Sequence, residues 1–121
     1  MKVCIKCNEE KPIDEFAINK STSTGRAGVC RECKKFARIE RVYNLTKEQY
    51  NQMLMDFNFS CGACKIHMSD TNRGWLCVDH DHVTNKVRGF LCEDCNSGLG
   101  LIGDNLESVK NMMRYFGEEI N

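Results

Sequence analysis

The sequence predicts an α+β fold: a small core braced at fixed points, with flanking helices and a separate N-terminal module. Three observations predict it. Eight of the nine cysteines fall in C-x-x-C pairs (Cys4/Cys7, Cys30/Cys33, Cys61/Cys64 and Cys92/Cys95), leaving only Cys77 single. Three segments place apolar residues at helical spacing. Two β-prone runs, residues 75–78 and 87–91, flank the turn-like Thr84-Asn85-Lys86.

The 121 residues give room for one domain or a small domain with an appendage. Hydrophobic residues make up 41% and aromatics 8%, modest figures for an unaided core. Each half of the chain is below the roughly 70–80 residues at which a core usually stands without metal or disulfides. Residues 1–13 contain no apolar run of signal-peptide length, and nothing approaches the roughly 20 apolar residues of a membrane span. No membrane partner is expected, and the expected setting is cytoplasmic. Thiols stay reduced there, so the pairs point to zinc ahead of disulfides or redox dithiols. Structural zinc contributes on the order of 10 kcal/mol, comparable with a domain's net stability of roughly 5–15 kcal/mol.

Residues 1–42 read as one unit, a zinc-ribbon-like module followed by a basic helix. Cys4 and Cys7 are followed, after 22 residues, by Cys30 and Cys33. Two such knuckles supply four thiolates for one tetrahedral Zn²⁺. Between them Phe16 and Ile18 are expected to pack, and residues 21–28 (STSTGRAG) read as a loop tip. Residues 31–42 read as a helix, with Phe36, Ile39 and Val42 at three-residue spacing. Asn44-Leu45 breaks it. Thr46, with Gln49 three residues on, has the form of a capping box, and Tyr50, Met53, Leu54 and Phe57 give the next helix a core face.

Residues 43–121 read as the second unit. Cys61/Cys64 and Cys92/Cys95, separated by 27 residues, form a second Cys₄ zinc set that brackets the hairpin. Cys77 is expected to face the hairpin core and His67 the surface. Gly98, Gly100 and Gly103 weaken a long helix after the last knuckle, so a short one near Asn96 is the expectation. A final helix is expected after Asp104 or Asn105, with Leu106, Val109, Met113 and Phe116 as its apolar stripe.

Formal net charge is zero, but the charge is unevenly placed. Residues 31–47 hold six basic and two acidic residues, a net of +4, whereas residues 9–20 and 104–121 each net −2. Such a stripe is compatible with a phosphate-binding face. Lys34, Lys35, Arg38 and Arg41 are the residues expected along DNA phosphates, with a solvated helix surface as the alternative.

Residues 77–82 read CVDHDH, two aspartates and two histidines in a chain with three histidines. Four thiolates close a zinc shell, so Asp79, His80, Asp81, His82 and Asn96 are left over. Carboxylate and amide oxygens suit Mg²⁺ or Mn²⁺. Imidazole, which changes charge near neutral pH, suits the activation of water. Phosphodiester hydrolysis needs those two parts. Two other readings stay open: His80 and His82 as ligands of a mixed zinc site, or as polar turn residues. On an ideal strand Asp79 and His80 point to opposite faces. They share one site only if the strand ends or bends there.

Five stretches carry a resemblance: YNLTKEQY (43–50), CGAC (61–64), WLCVDHDH (75–82), KVRGFLCEDCN (86–96) and GLGLIGD (98–104). Together they resemble the phage recombination endonuclease VII family, within the HNH, ββα-metal or His-Me finger nucleases. The resemblance implies a small zinc-braced ββα-metal core with flanking helices. It implies Asp79 and Asn96 as ligands of a catalytic Mg²⁺ or Mn²⁺, and His80 as general base. It implies His82 as a supporting histidine near the phosphate, and Cys61, Cys64, Cys92 and Cys95 as structural zinc ligands. It also implies the bend at Asp79. Two features depart from the founding members, which dimerise through a long helical region after the core. Here 26 residues follow Cys95, room for one helix, and the acidic residue that some resolvases carry three positions after the asparagine is Leu99. The Cys4–Cys33 module is an addition, similar to small zinc modules in phage relatives.

The expectation is a metal-dependent DNA endonuclease that hydrolyses phosphodiester bonds, in a bacterial or phage-infected cell. Arg88, in the Val87-Arg88-Gly89 run, joins the DNA-binding set. Two zinc ions and one Mg²⁺ or Mn²⁺ are the expected cofactors, and DNA the partner. The alternatives are a non-catalytic zinc module that binds DNA and a dedicated Holliday-junction resolvase. Monomer and dimer both stay open.

Overall fold

The computed structural model describes residues 1–118. Residues 119–121, the end of the predicted second unit, lie outside the described residues. The chain divides into two compact units, Met1–Tyr50 and Asn51–Asn121, with the division inside one helix.

In the first unit β1 (Lys2–Val3) pairs antiparallel with β2 (Glu10–Lys11). Two-residue strands are too short to leave a periodic signal in sequence. The turn between them is the first knuckle. Cys4 N donates to Glu9 O, Asn8 N donates to Cys4 O, and Asn8 takes a left-handed φ of 61°. Asparagine visits this region more readily than most residues. The core here is small: Cys4, Phe16 and Cys30 are fully buried, with Val29 and Cys33 against them. Ile18, expected to pack, is instead 68% exposed, and its backbone bridges Arg26 below the loop tip.

Helix α1 (Arg31–Tyr43) starts at Cys30 and stops where Asn44 turns left-handed, its N–H donating to Glu40 O. The expected helix breaker is thus a helix cap. Helix α2 (Lys47–Asp56) opens on the full reciprocal capping box. Gln49 N donates to Thr46 Oγ1 (3.1 Å) and Thr46 N to Gln49 Oε1 (2.9 Å). The Phe36 and Tyr50 rings meet edge to face at 5.4 Å.

In the second unit β3 (Cys77–His80) pairs antiparallel with β4 (Val87–Leu91). The first arm sits two residues later than the β-prone run suggests. Leu76 is buried just before it, while Trp75 stays 43% exposed. Helix α3 (Glu93–Leu101) packs on both strands, giving a ββα unit. It starts earlier than expected and runs through Gly98 and Gly100. Each glycine costs roughly 1 kcal/mol in a helix. Packing on the hairpin and the Cys92 cap, whose sulfur accepts from Cys95 N at 3.4 Å, offset that cost. Gly103, at φ +102°, follows its end.

Gly89 shows why this hairpin needs a glycine. Its φ is +155°, and a Cβ there would run into the Phe57 ring. That ring also meets Phe90 edge to face at 5.8 Å. Helix α4 (Leu106–Tyr115) is capped by Asn105, which accepts from Ser108 N at 2.8 Å. The expected apolar stripe is present but exposed at Leu106, Met113 and Phe116. Among the described residues no helix is long and apolar enough to cross a membrane.

Candidate functional site

The four C-x-x-C pairs assemble into two clusters, Cys4/Cys7/Cys30/Cys33 and Cys61/Cys64/Cys92/Cys95, with the sulfurs of each within 4.8 Å of one another. A tetrahedron with Zn–S bonds of about 2.3 Å has S···S edges of about 3.8 Å. Cys4 and Cys33 sulfurs lie 3.8 Å apart and those of Cys64 and Cys92 3.7 Å, so both clusters can hold zinc. Their electrostatics agree. Burial opposes ionisation of Cys4, yet backbone N–H groups of Cys30, Cys7 and Lys6 bring its thiol down to about 6. Cys61 reaches about 6 in the same way, against burial, through the N–H groups of Cys92, Cys64 and Ala63. Burial and the neighbouring thiols push Cys33 and Cys95 up to about 12. Four sulfurs this close ionise together only around a cation. Neither set requires a histidine to complete four ligands.

The hairpin between the second pair of knuckles carries the remaining chemistry. Its ladder is irregular at one place. Asp79 pairs with Gly89, but His80 pairs with Val87, so Arg88 is the extra residue of a β-bulge. A bulge bends the strand and re-aims side chains. The ladder breaks between Asp79 and His80, the point at which the strand had to end or bend for the two side chains to share a site. Beyond His80 the chain turns. Asp81 Oδ1 accepts from Val83 N (2.8 Å) and Thr84 N (3.1 Å), and these bonds hold its carboxyl below the usual carboxylate range. Asp81 therefore builds the loop. The turn brings the His80 and His82 rings to 4.7 Å, edge to face.

Arg88 sits at the centre of a four-residue network. Its Nε donates to Asp79 Oδ2 (2.7 Å), and its Nη2 to Asp79 Oδ1 (3.0 Å) and Asp104 Oδ1 (2.8 Å). The two carboxylates raise the guanidinium's already high pKa further. His82 Nε2 lies 3.4 Å from Asp104 Oδ2. The side chains of Asp79 and Asp104 are 12% and 17% exposed, against 38% for Arg88, so the carboxylates are the sheltered partners. Asp104 is not among the site residues the sequence singles out. Its one signal is its place at the end of GLGLIGD, after a helix-ending glycine. Asn96 lies in the first turns of α3 and is exposed. Asp79 and Asn96 offer a carboxylate and an amide oxygen from β3 and α3, which pack together. Carboxylate and amide oxygens are donors of the kind that suits Mg²⁺ or Mn²⁺. Among the described residues, only the two Cys₄ sets gather three or more His, Cys, Asp or Glu ligand atoms at one point.

The basic helix has its own geometry. At roughly 100° per residue, Arg31, Lys34, Lys35, Arg38 and Arg41 fall within an arc of about 120° on α1. Ile39 and Phe36 lie outside that arc, Ile39 buried and Phe36 half-buried. All five basic residues are exposed. Lys35 lies 5.3 Å from the Phe36 ring centroid and 5.2 Å from that of Tyr50, a cation–π position.

Known proteins resemble this chain. The Gene 59 proteins of Mycobacterium phages L5 and D29 are each 38% identical to this chain over 80 residues. Each match takes in 64% of this chain and 47% of the relative, so the chain spans about half the length of these curated relatives. A crystal structure of the beta-beta-alpha-Me type II restriction endonuclease Hpy99I matches with a TM-score of 0.41 and 28% identity. That match covers 96% of this chain and 64% of the other. The sequence profile of recombination endonuclease VII matches residues 36–118, more than half of the chain and all of the hairpin site. The chain belongs to the recombination endonuclease VII family.

Proposed function

We propose that the protein is a metal-dependent DNA endonuclease of the HNH type. The observation that carries this reading is the break in the β3–β4 ladder between Asp79 and His80, beside a helix that bears Asn96. Family membership supports nuclease chemistry. Residues 43–121 would form the nuclease unit. Residues 1–42 would form a DNA-gripping unit, with Lys34, Lys35, Arg38 and Arg41 along phosphates. Each unit would carry one structural zinc. The setting proposed is the cytoplasm of a phage-infected bacterial cell.

In this mechanism His80 takes a proton from water, and the oxygen attacks phosphorus in line with the leaving 3′ oxygen. His82 and Arg88 face the phosphate, and Asp104 orients His82. Asp79 and Asn96 would hold Mg²⁺ or Mn²⁺, which when bound offsets the charge developing on the phosphate and leaving oxygen. The leaving 3′ oxygen would take a proton from solvent, so the products would carry 5′-phosphate and 3′-hydroxyl ends.

The test is nicking of supercoiled plasmid by the His80→Ala protein. General acid–base catalysis contributes roughly a hundred- to ten-thousand-fold, so nicking should fall by at least about a hundredfold while DNA binding persists. Undiminished nicking removes His80 from the mechanism. Binding by the unmodified protein without any magnesium-dependent nicking favours a non-catalytic module.

A further inference from the structure

The Asp79–Arg88–Asp104 bridge bears directly on the proposed site, provided that Asp79 is a ligand of the catalytic cation, as the proposed function has it. Arg88 occupies both carboxylate oxygens of Asp79, at 2.7 and 3.0 Å. A cation and a guanidinium compete for those oxygens, since each N–H already takes up a lone pair that a metal would use. They would also repel each other, and arginine cannot relieve this by losing its proton. Release has a ready route. Nη2 is already anchored on Asp104 at 2.8 Å, so Arg88 can leave Asp79 and stay paired. Its side chain is more exposed than either carboxylate, and a guanidinium matches a phosphate as well as it matches a carboxylate.

We infer that Arg88 is a latch on Asp79 and that Asp104 is the positioning residue on which it pivots. Arg88 holds Asp79 closed to divalent cations in the free protein. A DNA phosphate draws it off and opens the site. Cation binding and DNA binding are then coupled, and by linkage each tightens the other equally. The β-bulge is what makes the latch possible, because it inserts Arg88 opposite the gap between Asp79 and His80.

The experiment measures Mn²⁺ affinity by electron paramagnetic resonance on zinc-loaded, full-chain protein. It is run in the His80→Ala background so that added duplex is not cut. Duplex DNA should tighten Mn²⁺ binding about tenfold or more. Without DNA, Arg88→Gln should tighten it by a similar factor and shrink the further gain on adding DNA. Arg88→Lys keeps the charge but loses the two-point grip, and should still tighten Mn²⁺ severalfold. Asp104→Asn leaves Asp79 as the one anionic partner of Arg88 and should weaken Mn²⁺ binding to the free protein severalfold. Zinc content and far-UV circular dichroism report whether each variant is folded. If Arg88→Lys behaves like the parent, the effect is general charge and the latch is wrong. If either Arg88 variant weakens Mn²⁺ binding, it is also wrong. Asp79→Asn distinguishes failure of the latch from failure of the metal site. Loss of Mn²⁺ binding in that variant with no gain from Arg88→Lys overturns only the latch. Unchanged Mn²⁺ binding overturns the metal-site reading and the latch with it.

Discussion

The two cysteine clusters are built alike and used differently. Each joins two knuckles, and their S···S edges of 3.8 and 3.7 Å are equivalent. The segment inside the first clamp ends in a polar loop tip. On β2, Lys11 sends its ammonium to Cys30 Sγ (3.3 Å) and Glu32 (3.3 Å). The segment inside the second clamp is a bulged hairpin whose arginine serves two carboxylates. Its nearby lysine, Lys65, bonds the Gly62 carbonyl at 3.0 Å. Zinc-type cysteine spacing therefore says where a chain is held together. The residues between the knuckles say what it does.

That comparison can be broken most forcefully at the cysteines. Cys92→Ser should release one of two zinc ions and unfold the hairpin unit, since structural zinc contributes on the order of 10 kcal/mol. Plasmid nicking should vanish. Cys30→Ser should release the other zinc and weaken DNA binding, but retain nicking at saturating protein. Zinc analysis with a nicking titration reads both. Equal loss of nicking in the two variants would mean that the units do not divide the work. A smaller effect is expected at Gly89→Ala, where the Phe57 ring must shift and a left-handed backbone must be borne. Overpacking costs about 1–3 kcal/mol, read as a fall in thermal midpoint without loss of zinc. The smallest lies on α1. Charge-neutralising substitutions at Lys34, Arg38 and Arg41 should each flatten the salt dependence of DNA binding by about one phosphate contact. An unchanged slope would make the stripe a solvated surface.

Much of the scaffold is legible without coordinates. Cysteine spacing gives both clusters, Thr46 and Gln49 give the capping box, and Asn44 gives the end of α1. These signals are local, and local chemistry is what a sequence writes plainly. The remainder depends on which segments pair. Glycines at 98 and 100 argue against a long helix, and α3 is short, but it runs through both because it packs on the hairpin and is capped at Cys92. In sequence, Asp79 and His80 share a site only if the strand ends or bends between them, and neither outcome is written there, because a bulge is a property of two strands and not of one. The same bulge hides the role of Arg88. In sequence it is another basic residue for DNA, and only the ladder sets it on Asp79. Asp104 escapes notice for a related reason, since sixteen positions separate it from the arginine that it holds. Asp81 lies among candidate ligands in CVDHDH, but its bonds to Val83 and Thr84 make it a turn residue.

The measurement that bears most directly on the whole account is a magnesium titration of plasmid nicking, using protein that carries two zinc ions per chain. The account predicts no nicking without a hard divalent cation, and conversion of supercoiled to open-circular DNA as Mg²⁺ or Mn²⁺ is added. Fully zinc-loaded protein that binds the plasmid and leaves it intact at every Mg²⁺ and Mn²⁺ concentration would contradict it.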